Sequence, residues 1–276
     1  MTRVTHVKSG KSERWTAPKI RALKGKERIA VITAYDYPTA VVADRAGVEV
    51  ILVGDSLGMV VLGYESTLPV TVDEMIHHTK AVKRAQPRAL VVTDLPFMSY
   101  QTGPVEALAN AGRLVKEGGA DAVKLEGGER AAEAVRIMVE AGIPVMGHIG
   151  LTPQSVLQFG GYRVQGRGEE AAERLLADAT ALERAGIFSL VLEGMPAELS
   201  ARVTRGIGVP TIGIGAGACC DGQVLVWHDA LGFSFGHQPK FVRKYADLAE
   251  NTAAGLARFV EDVKQGRFPT AEESYE

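Results

Sequence analysis

The sequence predicts an α/β fold, a (β/α)8 or TIM barrel, from three observations. Eight short runs rich in valine, isoleucine and leucine recur without clean alternation, which is typical of parallel strands buried on both faces. Helical patterns separate these runs, as in folds that alternate strands and helices. The length of 276 residues fits one barrel domain of about 250 residues. A doubly wound open sheet is the main alternative, but no GxGxxG motif follows the first strand.

A short helix is predicted before the barrel. In "TAPKIRALKG", Thr16 is suited to act as the N-cap, Pro18 lies in the first turn, and Gly25 ends the helix. The basic segment before this helix is interpreted as a frayed tail. The predicted strands follow at 29–34, 49–54, 89–94, 121–126, 143–148, 187–193, 209–214 and 223–227.

Helical patterns fill the intervals, and several end in glycine before the next strand, which is a usual helix stop. They are "PTAVVADRAG", "DEMIHHTKAVKRA", "PVEALANAGRLVKEGG", "RAAEAVRIMVEAG", "EEAAERLLADATALERAG" and "MPAELSARVTRGIG". A C-terminal stretch also carries an apolar stripe at helical spacing, which the barrel or a neighbouring subunit must cover: Phe241, Tyr245, Leu248, Leu256, Phe259 and Val263. We therefore expect one barrel domain over 1–276, with a short N-terminal helix and a C-terminal helical extension.

Composition excludes several classes of function. The 31 Lys and Arg against 33 Asp and Glu give a net charge of −2, so nothing indicates binding to nucleic acid or to an acidic membrane surface. No apolar run approaches the roughly 18 residues that a membrane helix needs. The two cysteines, Cys219 and Cys220, are adjacent and form no disulfide framework. A reducing, cytoplasmic location is expected.

Polar residues follow the predicted strands, and in a barrel the carboxyl ends of the strands form the active-site face. Taken singly, each such residue is more often a helix cap or a surface charge, but in a barrel they converge. They are Asp36, Asp55, Ser56, Asp94, Lys124, Glu126, His148, Glu193 and His228.

Three of these residues are carboxylates at three strand ends: Asp55, Asp94 and Glu126. Packed together they would repel one another, and a hard divalent cation removes that conflict. Oxygen ligands favour Mg²⁺, which usually keeps waters and shares its coordination shell with substrate oxygens. The alternative is that each carboxylate caps a following helix or pairs with Lys124.

The remaining polar residues suggest other roles. Lys124 lies two residues before Glu126 in a strand, so it either binds an anionic substrate or neutralises that carboxylate. Glu193 follows the apolar run "FSLVL" and is the candidate general base. His148 orients a ligand or is an ordinary buried polar group, while His77 and His78 are expected at the surface. "GIGAG" (213–217) is a weak phosphate-loop signal, and close packing is the alternative reason for its glycines.

Longer motifs resemble a known family. "TAYDYPTA", "VGDSLGMVVLGYESTLPVTVDEM", "DLPFMSY", "VKLEGG", "GHIGLTPQSV", "GGYRVQGR" and "IGIGAGACCDGQVLVWHDALG" together look like ketopantoate hydroxymethyltransferase, in the same order from about residue 16 to 270. The resemblance implies a (β/α)8 barrel of the phosphoenolpyruvate/pyruvate type. It also implies transfer of a hydroxymethyl group from 5,10-methylenetetrahydrofolate to 3-methyl-2-oxobutanoate, giving 2-dehydropantoate in pantothenate biosynthesis.

The resemblance also implies roles for single residues. One Mg²⁺ per subunit would be held by Asp55, Asp94 and Glu126, and would stabilise an enolate of the keto acid. Contacts to the keto acid would come from Asp55, Ser56, Asp94 and Lys124, and Glu193 would be the base. The family forms homodecamers, as dimers of pentamers.

Two other functions remain open at this level. A Mg²⁺-dependent carbon–carbon lyase of the isocitrate lyase type uses the same barrel and the same metal and keto-acid chemistry. Such lyases use a cysteine-bearing loop (KKCGH-like), which this sequence lacks. A non-catalytic barrel that binds a small anion is the other alternative.

Overall fold

The computed structural model describes residues 13–236 and 238–275. The basic segment interpreted as a frayed tail lies largely outside the described residues. The chain divides into two compact units, one that ends at Leu225 and one over Val226–Glu276.

The first unit is a closed barrel of eight parallel strands, in which each strand pairs with the next and β8 pairs with β1. All eight predicted strands are confirmed, with shifts at their ends. They are β1 Ile29–Thr33, β2 Val50–Val53, β3 Leu90–Asp94, β4 Ala122–Lys124, β5 Val145–Gly150, β6 Ser189–Glu193, β7 Thr211–Ile214 and β8 Gly222–Leu225.

Side chains along each strand face the barrel interior and the helices in turn. In β2, Val50 and Leu52 belong to the buried cluster inside the barrel. Ile51 and Val53 belong to a second, larger cluster that includes residues of the surrounding helices. The barrel is therefore filled by side chains and is not a pore.

The inward positions become polar at the carboxyl ends of four strands. In each of these strands, the residue two positions after an interior apolar residue points the same way and carries a charged or imidazole group. The pairs are Val92 and Asp94, Ala122 and Lys124, Met146 and His148, and Val191 and Glu193. This periodicity explains why strands that are otherwise apolar end in charges.

Each predicted helical interval contains a helix, and three short helices, Leu57–Val60, Val156–Phe159 and Trp227–Ala230, were not predicted. In order the helices are α1 Ala17–Arg21, α2 Tyr37–Ala46, α3 Leu57–Val60, α4 Val72–Arg84, α5 Pro104–Arg113, α6 Ala132–Glu140, α7 Val156–Phe159, α8 Glu169–Ala185, α9 Ala197–Gly206, α10 Trp227–Ala230 and α11 Leu248–Lys264. A π-helix over Leu114–Gly118 continues α5, and 3-10 turns cover Glu129–Ala131, Pro153–Ser155 and Ala271–Glu273.

The N-terminal helix differs from its prediction. It ends at Arg21, before Gly25, and Thr16 stands at the N-cap position without a capping hydrogen bond from its side chain. Ala17 and Ile20 pack into the interior cluster. This helix therefore covers the end of the barrel opposite the predicted active site.

A buried carboxylate fixes this covering segment in place. Asp221, just before β8, accepts hydrogen bonds from Lys24 Nζ at 2.9 Å and from the backbone N–H of Gly25 at 3.1 Å. Its Oδ2 also accepts the backbone N–H of Thr211 at 2.9 Å. Burial alone would raise the pKa of Asp221, but these donors outweigh it and hold the pKa below its ordinary value.

The second unit contains α10 and α11. Backbone N–H groups of Tyr245 and Leu248 donate to the carbonyls of Ala230 and Leu231, at 2.7 and 3.0 Å. The C-terminal helix predicted from Phe241 begins only at Leu248, and it has no buried side chain. No helix in the described part of the chain is long and apolar enough to cross a membrane.

Candidate active site

The carboxyl ends of β2 to β6 bring together six side chains. Five of them are buried, and the Glu193 side chain keeps 16% of its surface exposed. The group consists of Asp55, Asp94, Lys124, Glu126, His148 and Glu193. The predicted convergence is thus observed for these residues, which combine four carboxyl groups with one ammonium and one imidazole.

Lys124 is the cation at the centre of the group. Its Nζ lies 3.1 Å from Asp94 Oδ1 and 3.2 Å from His148 Nδ1. Burial alone would lower the pKa of Lys124, but Asp94, Glu126 and Asp55 outweigh it and hold the pKa above its ordinary value. Lys124 is therefore an ammonium ion at neutral pH.

The carboxyl groups exceed the charge that Lys124 can balance. Burial, together with the Asp94 carboxylate, raises the pKa of Asp55 to about 7. Burial and then the Asp55 carboxylate raise the pKa of Glu126 well above its ordinary value. The Asp55 backbone N–H donates to Asp94 Oδ2 at 3.0 Å, which links the ends of β2 and β3. The cluster favours an additional positive charge.

A divalent cation fits this donor set. Asp94 Oδ1 is buried, and its one close charged contact among the described residues is the Lys124 ammonium, 3.1 Å away. Within the described residues, no three His, Cys, Asp or Glu side chains are arranged to enclose a metal on their own. Mg²⁺ is commonly held by one or two carboxylates plus waters and substrate oxygens. Asp55 and Asp94 suit that role, with Glu126 as a further oxygen donor.

Gln154 ties these carboxylates to the loop after β5. Its Nε2 donates to Asp55 Oδ2 at 2.8 Å and to the Leu95 carbonyl at 3.0 Å. Its backbone N–H donates to Glu126 Oε2 at 3.0 Å. The Tyr100 hydroxyl donates to Gln154 Oε1 at 2.7 Å and accepts the Glu126 backbone N–H at 3.1 Å. Gln154 and Tyr100 therefore orient both Asp55 and Glu126.

His148 connects Lys124 to Glu193. Burial, followed by the Lys124 charge, lowers the pKa of His148, so the imidazole is neutral at pH 7. The Lys124 ammonium can only donate, so Nδ1 accepts and the proton lies on Nε2. Nε2 is 3.3 Å from Glu193 Oε2. Glu193 therefore faces an imidazole N–H.

Ser56 lies directly after Asp55, and its Oγ is 2.8 Å from the Tyr35 hydroxyl. The glycine before Asp55 leaves room for the Ser56 hydroxyl. A Cβ at Gly54 would lie 2.8 Å from Ser56 Oγ and 3.5 Å from Asp94 Oδ2. The "GDS" sequence thus places Ser56 beside the acidic cluster.

Several other sequence candidates have structural roles. Asp36 is exposed and caps α2, accepting the Thr39 backbone N–H at 2.9 Å. His77 is exposed, but the surface assignment of His78 is wrong, because it is half-buried and its Nδ1 is 2.7 Å from the Tyr35 carbonyl. His228 lies in α10 of the second unit.

The glycine-rich loop shows close packing. A Cβ at Gly217 would lie 2.5 Å from Ala197 Cβ, so packing alone gives a reason for that glycine. Cys219 is exposed and Cys220 buried; both precede β8, at the end of the barrel opposite the acidic cluster.

Reasoning from strand ends missed Tyr100 and Gln154. Both lie in loops, and neither is charged, so no local pattern identifies them. The only sequence signal is that they fall within "DLPFMSY" and "GHIGLTPQSV", the motifs that carry the family resemblance.

Comparisons with known proteins agree on one family. A family model described as "Ketopantoate hydroxymethyltransferase" matches residues 14–271. The 3-methyl-2-oxobutanoate hydroxymethyltransferase of Moorella thermoacetica is 63% identical over 263 residues, covering 95% of this chain and 98% of that protein. The protein of the same name from Syntrophus aciditrophicus is 56% identical over 266 residues, covering 96% and 98%.

Solved structures agree with the barrel fold. A 2,3-dimethylmalate lyase of the PEP mutase/isocitrate lyase superfamily has a TM-score of 0.59 at 18% identity, covering 94% of this chain and 91% of that chain. An oxaloacetate acetylhydrolase in complex with oxalate has a TM-score of 0.61 at 15% identity, covering 96% and 92%. At such identities the likeness shows the fold alone.

Proposed function

The chain belongs to the ketopantoate hydroxymethyltransferase family, and we propose on that basis that it transfers a hydroxymethyl group to 3-methyl-2-oxobutanoate. The one-carbon donor is 5,10-methylenetetrahydrofolate, and the product is 2-dehydropantoate, a step of pantothenate biosynthesis. The observation that carries the proposal is the buried Lys124 ammonium among the carboxyl groups of Asp55, Asp94 and Glu126, with Glu193 set apart from them.

The site suits a small α-keto acid. The substrate carboxylate is an anion, and Lys124 supplies the buried positive charge that offsets it. Ser56, beside Asp55, offers a hydroxyl group to a substrate oxygen. Asp55 and Asp94 would hold Mg²⁺, one per subunit, with Glu126 as a further oxygen donor. When bound, the metal stabilises negative charge that develops on the keto oxygen.

Glu193 is the proposed base. It keeps partial access to the site mouth and is not among the side chains that bond to Asp55. It accepts the proton from C3 of the keto acid, and the resulting enolate carbon forms a bond to the one-carbon unit of the folate. The two bonds from the one-carbon unit to the folate nitrogens break, and a water supplies the hydroxyl group of the product. One nitrogen takes up the proton that Glu193 removed from C3, and the other takes up the remaining proton of the water. His148 lies beside the Glu193 carboxylate, with 3.3 Å between its Nε2 and Glu193 Oε2.

The lyase alternative is disfavoured by the placement of the cysteines. A cysteine acid would have to reach the carboxyl ends of the strands, whereas Cys219 and Cys220 precede β8 at the opposite end of the barrel. Both are free thiols, which supports a cytoplasmic location.

Exchange of the C3 proton of 3-methyl-2-oxobutanoate in deuterated water, without folate, tests the proposal. Wild-type protein should exchange this proton in the presence of Mg²⁺, as followed by proton NMR. Glu193→Gln keeps the side-chain size and should slow exchange by roughly 10²–10⁴-fold, the usual contribution of general-base catalysis. Glu198→Gln, at an exposed position on α9, is the matched control.

The results distinguish the proposed enzyme from the alternative functions. A wild-type protein that binds the keto acid without exchange would indicate the non-catalytic anion-binding barrel. Exchange at the wild-type rate in Glu193→Gln would remove Glu193 as the base. If Glu193→Gln loses both keto-acid binding and C3 exchange, Glu193 has a role in holding the substrate.

We also propose assembly as a homodecamer, a dimer of pentamers, on the basis of the family resemblance. The exposed apolar residues of α11 support an association between subunits: Leu256, Phe259, Val260 and Val263 are each 45–60% exposed. Light scattering should give ten times the chain mass of 29.4 kDa. A monomeric mass would overturn the assembly without affecting the proposed chemistry.

A further inference from the structure

We propose that a cavity beside Glu126 binds the ring system of the folate donor, with Arg130 binding its anionic tail. This inference rests on the proposed function, because the folate is the second substrate of that reaction. The cavity, called here the side cavity, lies among the loops after β3, β4 and β5. The residues used in the argument are Phe97, Tyr100, Glu126, Arg130, Gln154 and Gln158.

The size of the side cavity exceeds what the keto acid needs. Its volume is about 540 Å³, within the roughly 300–1,000 Å³ of pockets for drug-sized ligands. A five-carbon keto acid is far smaller than such a ligand, whereas a pterin joined to a benzoyl group is of that size. The cavity is therefore matched to the larger of the two substrates.

The position of the side cavity suits a second substrate. It reaches the acidic cluster at Glu126 and Gln154, whereas Asp55, Lys124 and Glu193 do not line it. The proposed keto-acid groups and the cavity are thus neighbouring but separate subsites. A ring system in the cavity places its one-carbon unit beside the keto acid, and the base approaches from β6 along a different direction.

The lining of the side cavity matches the chemistry of a pterin. Phe97 and Tyr100 offer aromatic surface to a flat ring. Gln154 and Glu126 supply polar atoms at the inner end, where the ring nitrogens and the reacting carbon must lie.

Arg130 at the cavity mouth is suited to the carboxylates of the folate tail. It is exposed and donates to Ser155 Oγ at 3.2 Å, but it forms no ion pair with any described carboxylate. Four arginines on helices of the barrel are paired: Arg113 with Glu117, Arg136 with Glu133, Arg174 with Glu170 and Arg202 with Glu173. Arg130 is therefore a guanidinium with donors left for an external anion.

Two variants test the side cavity by calorimetry with tetrahydrofolate under reducing conditions. Arg130→Met keeps the aliphatic stem and removes the charge, and should weaken tetrahydrofolate binding about tenfold, the scale of one hydrogen bond to a charged group. Gln158→Trp places a large ring at the exposed rim and should weaken binding at least as much. Arg174→Met, which removes a paired arginine of α8, should bind as wild type.

A shortened ligand tests the assignment of Arg130 separately. 6-Methyltetrahydropterin lacks the whole benzoylglutamate and carries no carboxylate, so the Arg130→Met loss should be confined to tetrahydrofolate. Equal losses for both ligands would overturn the role of Arg130 in binding the tail. Wild-type affinity in both Arg130→Met and Gln158→Trp would overturn the cavity as the folate site.

C3 exchange without folate separates failure of this inference from failure of the proposed function. If wild-type protein exchanges the C3 proton and transfers the hydroxymethyl group while both variants bind tetrahydrofolate normally, only the side-cavity assignment fails. If wild-type protein neither exchanges the proton nor transfers the group, the proposed function itself fails.

Discussion

Replacing Gln154 with methionine is the sharpest test of how the acidic cluster is held. Methionine has a similar length but cannot donate or accept the four hydrogen bonds of the glutamine side chain. Gln154 is buried, and its Nε2 bonds to Asp55 Oδ2 and to the Leu95 carbonyl. The Tyr100 hydroxyl loses one acceptor but can still donate to the Glu126 carbonyl, 3.0 Å away.

The magnitude follows from the groups left without partners. Gln101 is exposed and can turn to water, so Asp55 Oδ2 and the Leu95 carbonyl are the two buried acceptors that lose a donor. Each unsatisfied buried group costs about 1–3 kcal/mol. The free energy of unfolding should therefore fall by about 2–6 kcal/mol, towards the lower end if water enters from the site mouth.

The same substitution should also weaken Mg²⁺ binding. The Gln154 hydrogen bond lowers the pKa of Asp55, against burial and Asp94 that raise it. Without that bond the pKa of Asp55 rises further, and a smaller fraction of Asp55 is ionised at pH 7. Calorimetric Mg²⁺ titration should show weaker binding in Gln154→Met than in wild type, and a larger difference at pH 6 than at pH 8.

Urea unfolding of Gln154→Met and of Gln101→Met measures the stability effect. Gln101 contacts the same amide oxygen at 3.2 Å but is exposed, so its loss should change the free energy of unfolding by no more than about 0.5 kcal/mol. If Gln154→Met is as stable as Gln101→Met and binds Mg²⁺ normally, Gln154 does not position Asp55.

Three further substitutions test other parts of the structure. Asp221→Asn should cost about 2 kcal/mol at pH 7, the scale of hydrogen bonds to a charged group. Because the pKa of Asp221 is held below its ordinary value, this stability is present above about pH 4 and is lost as the pH falls further. Gly128→Ala should destabilise by about 1–3 kcal/mol, since its Cβ would lie 1.9 Å from Asp178 Cγ of α8. Asp94→Asn removes a charge from the acidic cluster and should weaken Mg²⁺ binding in a calorimetric titration.

Each of these predictions has its own contrary result. For Asp221→Asn, a stability difference from wild type that persists unchanged to pH 2 in urea unfolding would contradict the charge argument. Gly112→Ala is the control for Gly128→Ala, because a Cβ at that helical position meets nothing within 4 Å; equal stabilities of the two variants would contradict the packing argument. Unchanged Mg²⁺ affinity in both Asp94→Asn and Asp55→Asn would remove these residues as ligands.

The barrel was predictable because parallel strands leave a strong local pattern. Its strand ends were not, and prolines explain two of the shifts. β5 was predicted from Ile143 and begins at Val145, after Pro144. β7 was predicted from Val209 and begins at Thr211, after Pro210. Proline lacks the N–H that a strand needs to donate to its neighbour, so each strand begins directly after its proline, two residues later than predicted.

The residues of the candidate site were also predictable only in part. The strand-end residues Asp94, Lys124 and Glu193 were identified because their charge contrasts with the apolar runs before them. Gln154 and Tyr100 carry no such contrast, and their partners lie 99 residues away for Asp55 and 26 residues away for Glu126. Only the folded chain brings these partners together, so local sequence patterns cannot predict the hydrogen bonds between them.

The contact between Lys24 and Asp221 spans 197 positions of the chain, and β1 pairs with β8 at the same place. Closure of the barrel therefore joins its first strand to its last, which gives this protein a large share of contacts with high sequence separation. Folds of this kind lose much chain entropy before their last contacts form, so they fold slowly. During synthesis, an emerging chain exposes the unpaired edge of β1 until residue 225 has left the ribosome, and over that interval the edge is open to pairing with other chains.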